Sequence, residues 1–158
     1  MDTLFDTRPS GALFVCRVVL GIVMFAHGAQ KLFGWFGGPG YDATIATFTT
    51  DMGIPAWMAV LVILAESLGG LGLIFGAFAR IAAAGIVAVM AGAVFMVHLE
   101  NGFFMNWGGG AAGEGFEYHL LALALAGIVL VEGAGAWSVD LALAQLLRSE
   151  PRKAAEIR

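Results

Sequence analysis

The feature that most constrains the fold is a predominantly apolar segment from residue 11 to about residue 33. A helix needs ~20 predominantly apolar residues to cross a bilayer, since each residue adds ~1.5 Å to its length. Comparable segments occur at about 56–78, 81–99 and 118–136. The sequence therefore predicts four membrane-spanning helices.

Composition agrees with a membrane protein. Of the 158 residues, 59% are hydrophobic and 13% are charged, whereas soluble domains average ~25% charged residues. The predicted fold class is all-α, a four-helix transmembrane bundle with short interfacial helices. A formal charge of −4 offers no basic surface for nucleic acid. The single Cys16 excludes an internal disulfide and a CxxC redox pair.

The chain is expected to form one transmembrane domain, over residues 11–137, between two flanking segments. Residues 1–10 are predicted to be a cytoplasmic N-terminal segment, and residues 138–158 an interfacial helix and cytoplasmic tail. The alternative for the first apolar segment is a cleaved signal peptide, which the acidic N-terminus disfavours. Ala84, Ala88 and Gly92 form a small-xxx-small ridge, which predicts close helix packing.

The basic residues predict the orientation. If the four predicted spans are correct, most of the basic residues lie on the same side of the membrane as both termini, whereas the loops on the opposite side are mainly acidic. The positive-inside rule then places both termini in the cytoplasm. The residues on the basic side are Arg8, Arg80, Arg148, Arg152, Lys153 and Arg158.

Polar side chains interrupt the apolar helices. At ~100° per residue, Arg17, His27 and Lys31 fall within roughly 80° of one another on the first helix. A polar stripe in hydrocarbon must face protein or water, so other helices should supply its partners. Glu66, near the middle of the second span, is predicted to form a midplane ion pair with Arg17.

A second polar group is expected at the outer ends of the helices, beneath the two outer loops. We predict a pocket in which His27, Lys31 and Glu117 are catalytic. The other residues expected around it are His98, Tyr118, His119 and Trp107. Histidine and glutamate can also bind metals, but none of them has a diagnostic ligand spacing, and no metal site is predicted.

Each polar residue also has a structural interpretation. His27 and Lys31 could extend to the lipid headgroups, and His98 and Tyr118 could be interfacial anchors. Glu117 could cap the fourth helix. Glu66 could be protonated, or part of a purely structural ion pair.

Three segments carry a resemblance to a known family: RVVLGIVMFAHGAQKLFGWFGG, AESLGGLGLIFG and GFEYHLLALALAGIVLVEGAGAWSVD. Together they resemble the DoxX family of small bacterial membrane proteins. The strongest match is the arginine, histidine and lysine of the first helix with the following FGWFGG. Glu132 departs from the pattern, since an apolar residue is expected there. The resemblance implies a four-helix bundle in the bacterial cytoplasmic membrane, and an association with quinone-linked redox enzymes.

Three functions follow from these observations. The leading hypothesis is a membrane subunit that binds a quinone for a partner enzyme, with electrons supplied by that partner or by a donor substrate. The second is permeation of a small molecule, proton or metal past Glu66 and Arg17. The third is a non-catalytic scaffold that anchors a partner protein, with or without homo-oligomerisation. The sequence does not name the partner or the donor.

Overall fold

The protein is described by a computed structural model, which covers the backbone of residues 2–156 and the side chains of residues 4–148. Over this part of the chain the secondary structure is helical and contains no strand, as predicted. The α-helices are α1 (Asp2–Phe5), α2 (Gly11–Phe33), α3 (Gly40–Ala46), α4 (Ala56–Phe75), α5 (Ala79–Ala93), α6 (Glu117–Glu132) and α7 (Val139–Glu156).

Shorter helical segments extend some of these helices. A 3₁₀ turn at Trp35–Gly37 follows α2, and a π-helical turn at Thr47–Asp51 continues α3. Beyond α5, the π-helical Val94–His98 and the 3₁₀ Leu99–Asn101 prolong the same helical path. Helix α7 covers the predicted interfacial helix, whereas the side chains of the predicted tail from residue 149 lie outside the described residues.

By length and composition, three helical segments of the described chain could cross a membrane: Gly11–Phe33, Ala56–Phe75 and Ala79–Asn101. Helix α6 was predicted to be a fourth span but has 16 residues, or ~24 Å, against ~30 Å for the bilayer core. It ends at Glu132 because the following residues, 133–137, form a turn that is hydrogen-bonded to the N-terminal segment and to Arg17.

Four helices form a closed bundle. Helix α2 packs on α4, α4 on α5, α5 on α6, and α6 back on α2. Their buried faces meet in a core that includes Leu20, Met24, Leu73, Ile86 and Val129. We name the two ends of the bundle by the segments that they contain. The terminal end has residues 2–10, the turn at 133–138 and helix α7, and the loop end has residues 34–55 and 102–116.

Helices α2 and α4 approach so closely that their backbones touch. A Cβ atom on Gly28 would lie 2.4 Å from the backbone nitrogen of Ser67, and one on Gly21 would lie 2.8 Å from the carbonyl oxygen of Gly70. Only glycine fits at such distances, as is common where membrane helices pack. These contacts fix the register of the two antiparallel helices, and so fix which polar residues lie opposite each other.

The predicted packing ridge on α5 is wrong. Ala84 and Ala88 are exposed, and Gly92 has open space around it. The helix packs instead through residues that include Ala83, Ile86 and Met90. Small residues occur on several sides of α5, so their spacing in the sequence could not identify the buried face.

Candidate polar site at the loop end

The centre of the candidate site is an ion pair between Lys31 and Glu66. The Nζ atom of Lys31 lies 2.6 Å from Oε2 of Glu66, and the carboxylate side chain is 5% exposed. Helical side chains lean toward the N-terminus of their own helix. Lys31 lies one turn beyond Gly28, the contact point with α4, so its side chain extends back along α2 to Glu66.

The predicted pair between Arg17 and Glu66 is therefore wrong. The glycine contacts place Gly28 beside Glu66 and Ser67, but Gly21 beside Gly70 and Ile74. Arg17 lies one further turn along α2, and so reaches the C-terminal end of α4. From Glu66 to Leu73 is seven residues, or ~10 Å of helix, and this distance separates the two charged groups.

Arg17 has other partners at the terminal end. Its Nη1 atom donates to the carbonyl oxygens of Leu73 and Ile74, at 2.6 Å each. Its Nε atom donates to Ala134, and Nη2 donates to the carbonyls of residues 136 and 137. Arginine has five N–H donors, and here they have five carbonyl partners. Carbonyls at a helix C-terminus have no intrahelical donor, so this residue closes α4 and binds it to the 133–138 turn.

His27 and Tyr118 lie beside the Lys31–Glu66 pair. The His27 and Tyr118 rings are 6.0 Å apart between centroids, with an interplanar angle of 49°. His27 lies one helical turn before Lys31 on α2. The hydroxyl oxygen of Tyr118 is buried and has no hydrogen-bond partner. Buried polar groups are almost always paired, so this hydroxyl has a vacant bonding capacity at the edge of an ion pair.

Two further histidines continue the cluster toward the surface. The rings of His98 and His119 lie 4.1 Å apart, and the ring of His119 lies 5.4 Å from that of Tyr118. His98 donates through Nδ1 to the carbonyl of Glu114 at 2.8 Å, since a carbonyl oxygen only accepts. His119 is 6% exposed, and its Nδ1 atom has no partner. The structure thus places His27, His98, Tyr118 and His119 together, as predicted from the sequence.

Glu117, predicted to be catalytic, bonds to the adjacent loop. Its Oε1 atom accepts from the backbone N–H of Met105 at 2.9 Å, and from the indole N–H of Trp107 at 3.3 Å. The carboxylate that joins Lys31 is that of Glu66 instead. Glu117 begins α6, so its side chain is directed to the loop that precedes the helix.

A groove of about 350 Å³ lies between this loop and α6. Its apolar and aromatic walls are formed by Phe103, Met105, Trp107, Tyr118, Leu120 and Leu121, and Glu117 lies at its edge. Trp107 was predicted to belong to the outer pocket, and it lines this groove. Tyr118 therefore contributes to both the groove and the buried polar cluster.

Asp140 was not identified from the sequence. It is 2% exposed, and its two carboxylate oxygens accept from the backbone N–H groups of Phe78 and Ala79 at 2.8 Å each. It thereby caps the N-terminus of α5 from a distant part of the chain. The sequence signal is weak, because a lone acid in the first turn of an amphipathic helix is usually a solvated residue.

Among the residues that the structure describes, no group of three or more His, Cys, Asp or Glu side chains could bind a metal ion. The side chains at the loop end can offer hydrogen-bond donation, electrostatic stabilisation by a lysine, and proton transfer through imidazole, phenol and carboxyl groups.

Comparison with known proteins identifies the family. No solved structure matches the chain. Over 90 residues it is 32% identical to a protein of Bacillus subtilis (strain 168) named "Putative oxidoreductase CatD". The match spans 57% of this chain and 62% of that relative, which is less than two thirds of its length. The model of the DoxX family matches residues 12–99, a segment that contains Arg17, His27, Lys31 and Glu66. The chain is a membrane protein that belongs to the DoxX family.

Proposed function

We propose that this protein is the membrane subunit of a quinone-linked oxidoreductase system and that it binds the quinone at the loop end of the bundle. The observation that carries the proposal is the partly buried Lys31–Glu66 pair at 2.6 Å, together with Tyr118, whose ring lies 6.0 Å from that of His27 and whose hydroxyl has no partner. The name of the Bacillus subtilis relative adds support for oxidoreductase chemistry, over the region that the two chains share.

A quinone fits this combination of groups because it is a flat apolar ring with two carbonyl oxygens. The aromatic groove offers a surface for the ring, and Tyr118 and His27 offer hydrogen bonds to a carbonyl oxygen. Reduction of a quinone to a quinol takes two electrons and two protons. A partner protein or donor substrate would supply the electrons, and the polar cluster would exchange the protons with the quinone oxygens.

Each residue of the cluster has a role in this proposal. Lys31 stabilises negative charge that develops on the quinone oxygen. Glu66 exchanges protons with the site and keeps the Lys31 ammonium in place. His27 and Tyr118 orient the ring. A charged pair at this depth is costly in a membrane and is more often found at functional sites than elsewhere.

The site would face the outer side of the bacterial cytoplasmic membrane, with both termini in the cytoplasm. Arg8, Arg80 and Arg148 all lie at the terminal end, which supports this orientation under the positive-inside rule. A test uses single cysteines in a Cys16→Ala background. An impermeant thiol reagent added to intact spheroplasts should label Ala112→Cys but not Arg8→Cys, and the reverse pattern would invert the orientation.

The function is tested by mass spectrometry of lipid-soluble molecules that co-purify with the protein in mild detergent. Wild type is compared with His27→Ala and with Asp42→Ala, an exposed carboxylate at the same end. We expect a quinone with wild type and with Asp42→Ala, and its loss from His27→Ala. If no quinone is found with wild type, the redox proposal fails and permeation or scaffolding takes its place.

A further inference from the structure

Helix α6 offers lipid a shorter apolar surface than its neighbours do. Its exposed large apolar residues lie between positions 120 and 131, a length of ~17 Å at ~1.5 Å per residue. The corresponding residues occupy 15–33 on α2, 57–75 on α4, and 81–99 on α5 and its extension. Each of these three surfaces is ~27 Å long. The apolar face of α6 is thus roughly 10 Å shorter than those of its neighbours.

The missing length lies at the loop end. At the terminal end α5 and α6 are nearly level, because Nη1 of Arg80, near the start of α5, donates to the carbonyl oxygens of Leu130 and Val131 near the end of α6. The chain leaves α5 at the loop end and returns through α6 to the terminal end. At the loop end, the bilayer beside α6 therefore meets the segment that precedes this helix, the 102–116 loop.

This loop has two parts of different character. Residues 102–107, GFFMNW, contain three aromatic residues and no charged one, and we name them the aromatic segment. Residues 108–115, GGGAAGEG, are mainly glycine and alanine and include Glu114. In the aromatic segment, Phe104 is 75% exposed and Trp107 is 87% exposed. Exposed apolar surface of this kind marks contact with a membrane or a protein, and tryptophan is enriched where a membrane meets water.

The aromatic segment continues the lipid-facing surface of α6. Side chains of both elements surround one apolar groove: Phe103, Met105, Trp107, Leu120 and Leu121. The two leucines begin the outward face of α6. The N–H of Glu117 donates to the carbonyl oxygen of Phe103, and its carboxylate accepts from the N–H of Met105. These bonds attach the aromatic segment to the first turn of α6, where it extends the apolar surface toward the loop end.

The polar backbone of the aromatic segment is largely satisfied within the loop. Each carbonyl oxygen of residues 102–106 accepts a backbone hydrogen bond, from the N–H groups of residues 116, 117, 115, 107 and 109 in that order. The N–H of Asn106 donates to the carboxylate of Glu114, and its side-chain amide bonds to the backbone of Ala111. Unpaired backbone groups are not tolerated in hydrocarbon. These bonds therefore allow the segment to approach the acyl chains.

We infer that the aromatic segment is inserted among the lipids of the loop-side leaflet, at the boundary between headgroups and acyl chains, with the rings of Phe104 and Trp107 against lipid. It completes beside α6 the lipid-facing surface that this short helix does not supply. The glycine-rich residues 108–115 stay in water. The inference is independent of the proposed function, because it concerns contact with the bilayer and requires no redox ligand.

Fluorescence quenching measures the surroundings of Trp107. Trp35, Trp57 and Trp137 are replaced by Phe, which leaves one tryptophan, and the protein is placed in nanodiscs of phosphatidylcholine with or without bromine on the acyl chains. Brominated chains quench an indole that they contact, whereas iodide quenches an indole in water. We expect Trp107 to be quenched strongly by the brominated lipid and weakly by iodide.

Two further single-tryptophan proteins are the controls. Trp57 lies in the first turn of α4, which is long and apolar enough to cross a membrane, and should respond as Trp107 does. The Ala112→Trp variant, in which all four native tryptophans are Phe, should be quenched by iodide and not by brominated lipid. If Trp107 responds as the Ala112→Trp variant does, the inference is overturned. Protection of Trp107 from both quenchers would place a protein surface there, and would overturn it as well.

A charge in the aromatic segment should move it toward water. In the protein that retains only Trp107, Phe104→Glu should cause the loss of most lipid quenching and a gain of quenching by iodide, because a carboxylate is costly among acyl chains. Phe104→Leu remains apolar and should retain the lipid quenching. Ala111→Glu adds the same charge to the part of the loop in water and should change neither. Unchanged lipid quenching in a folded Phe104→Glu variant would show that the segment is not inserted.

Discussion

The two ends of the bundle differ in the bonding of their most buried polar residues. At the terminal end, all five donors of Arg17 reach carbonyl oxygens, and both oxygens of Asp140 accept backbone N–H groups. At the loop end, Tyr118 and His119 each bury a polar atom without a partner. The third such atom in the described side chains is Nε of Arg80 at the terminal end.

We propose that the difference separates structural residues from functional ones. A fully paired buried charge restricts the chain to one conformation and has no capacity left for a ligand. A buried hydroxyl or imidazole without a partner costs ~1–3 kcal/mol of stability, and is expected where a ligand completes the hydrogen bonds. Two polar groups in the same protein can therefore be told apart by their bonding and not by their residue type.

The largest effect on this comparison is expected from Arg17→Met. The substitution removes five hydrogen bonds to carbonyl oxygens at the terminal end, and should lower the free energy of unfolding by about 4 kcal/mol or more. The free energy of unfolding is measured by titration with SDS in mixed micelles. Arg8→Met, at an exposed arginine, is the control and should change stability by no more than ~0.5 kcal/mol. Equal losses in the two variants would show that Arg17 is not a structural centre.

The next largest effect is expected from Lys31→Met, which leaves the Glu66 carboxylate buried without its partner. Removal of one member of a buried ion pair costs about 3 kcal/mol or more, whereas an apolar replacement of both members is often nearly neutral. The double variant Lys31→Met/Glu66→Leu should therefore recover most of the stability and still lose quinone retention. SDS unfolding and mass spectrometry of the co-purified lipids measure the two properties. A double variant as unstable as Lys31→Met would mean that the pair is retained for stability.

A smaller effect is expected from Asp140→Asn at the terminal end. The amide oxygen can accept only one of the two N–H groups at the start of α5, so the loss should be about 1 kcal/mol. Burial raises the pKa of Asp140, although the two backbone hydrogen bonds oppose this. The folded protein then binds this proton more tightly than the unfolded chain does.

The sign of the pH dependence follows from that raised pKa. The proton-linked part of the Asp140 contribution is fully present below the pKa of the unfolded chain, and is lost as the pH rises through the folded pKa. Unfolding measured across the acidic range should therefore show a fall in stability with pH that is absent in Asp140→Asn. An identical pH profile in the variant would contradict the burial effect.

Much of the bundle was predictable, because hydropathy and helix length depend on local sequence. The segment 11–33 was predicted to be helical and is observed as Gly11–Phe33. The grouping of His27, His98, Tyr118 and His119 was also predictable, since helix ends that alternate in direction share one depth. Trp107 was predicted to belong to the outer pocket, and it lines the groove together with Tyr118.

The pairing of the charged residues was not predictable. It depends on the register between α2 and α4, which is fixed by backbone contacts at Gly21 and Gly28 and not by any charge. Arg17 lies beside residues of α4 that are two helical turns beyond Glu66. Lys31 pairs with Glu66 in place of Arg17. The role of Asp140 depends in the same way on a turn whose path only the folded structure shows.

The smallest change in stability is expected from Tyr118→Phe, and it has the opposite sign. The hydroxyl is buried without a partner, so its removal avoids a desolvation cost and should leave the free energy of unfolding unchanged or raise it by up to ~1 kcal/mol. Quinone retention should nevertheless fall, because the ring loses its donor. Tyr41→Phe, at an exposed tyrosine in the other loop region, should change neither property. A Tyr118→Phe variant that loses stability would show that the hydroxyl is bonded in the ligand-free protein. The two ends would then differ in the charge of their buried polar groups and not in whether those groups are paired.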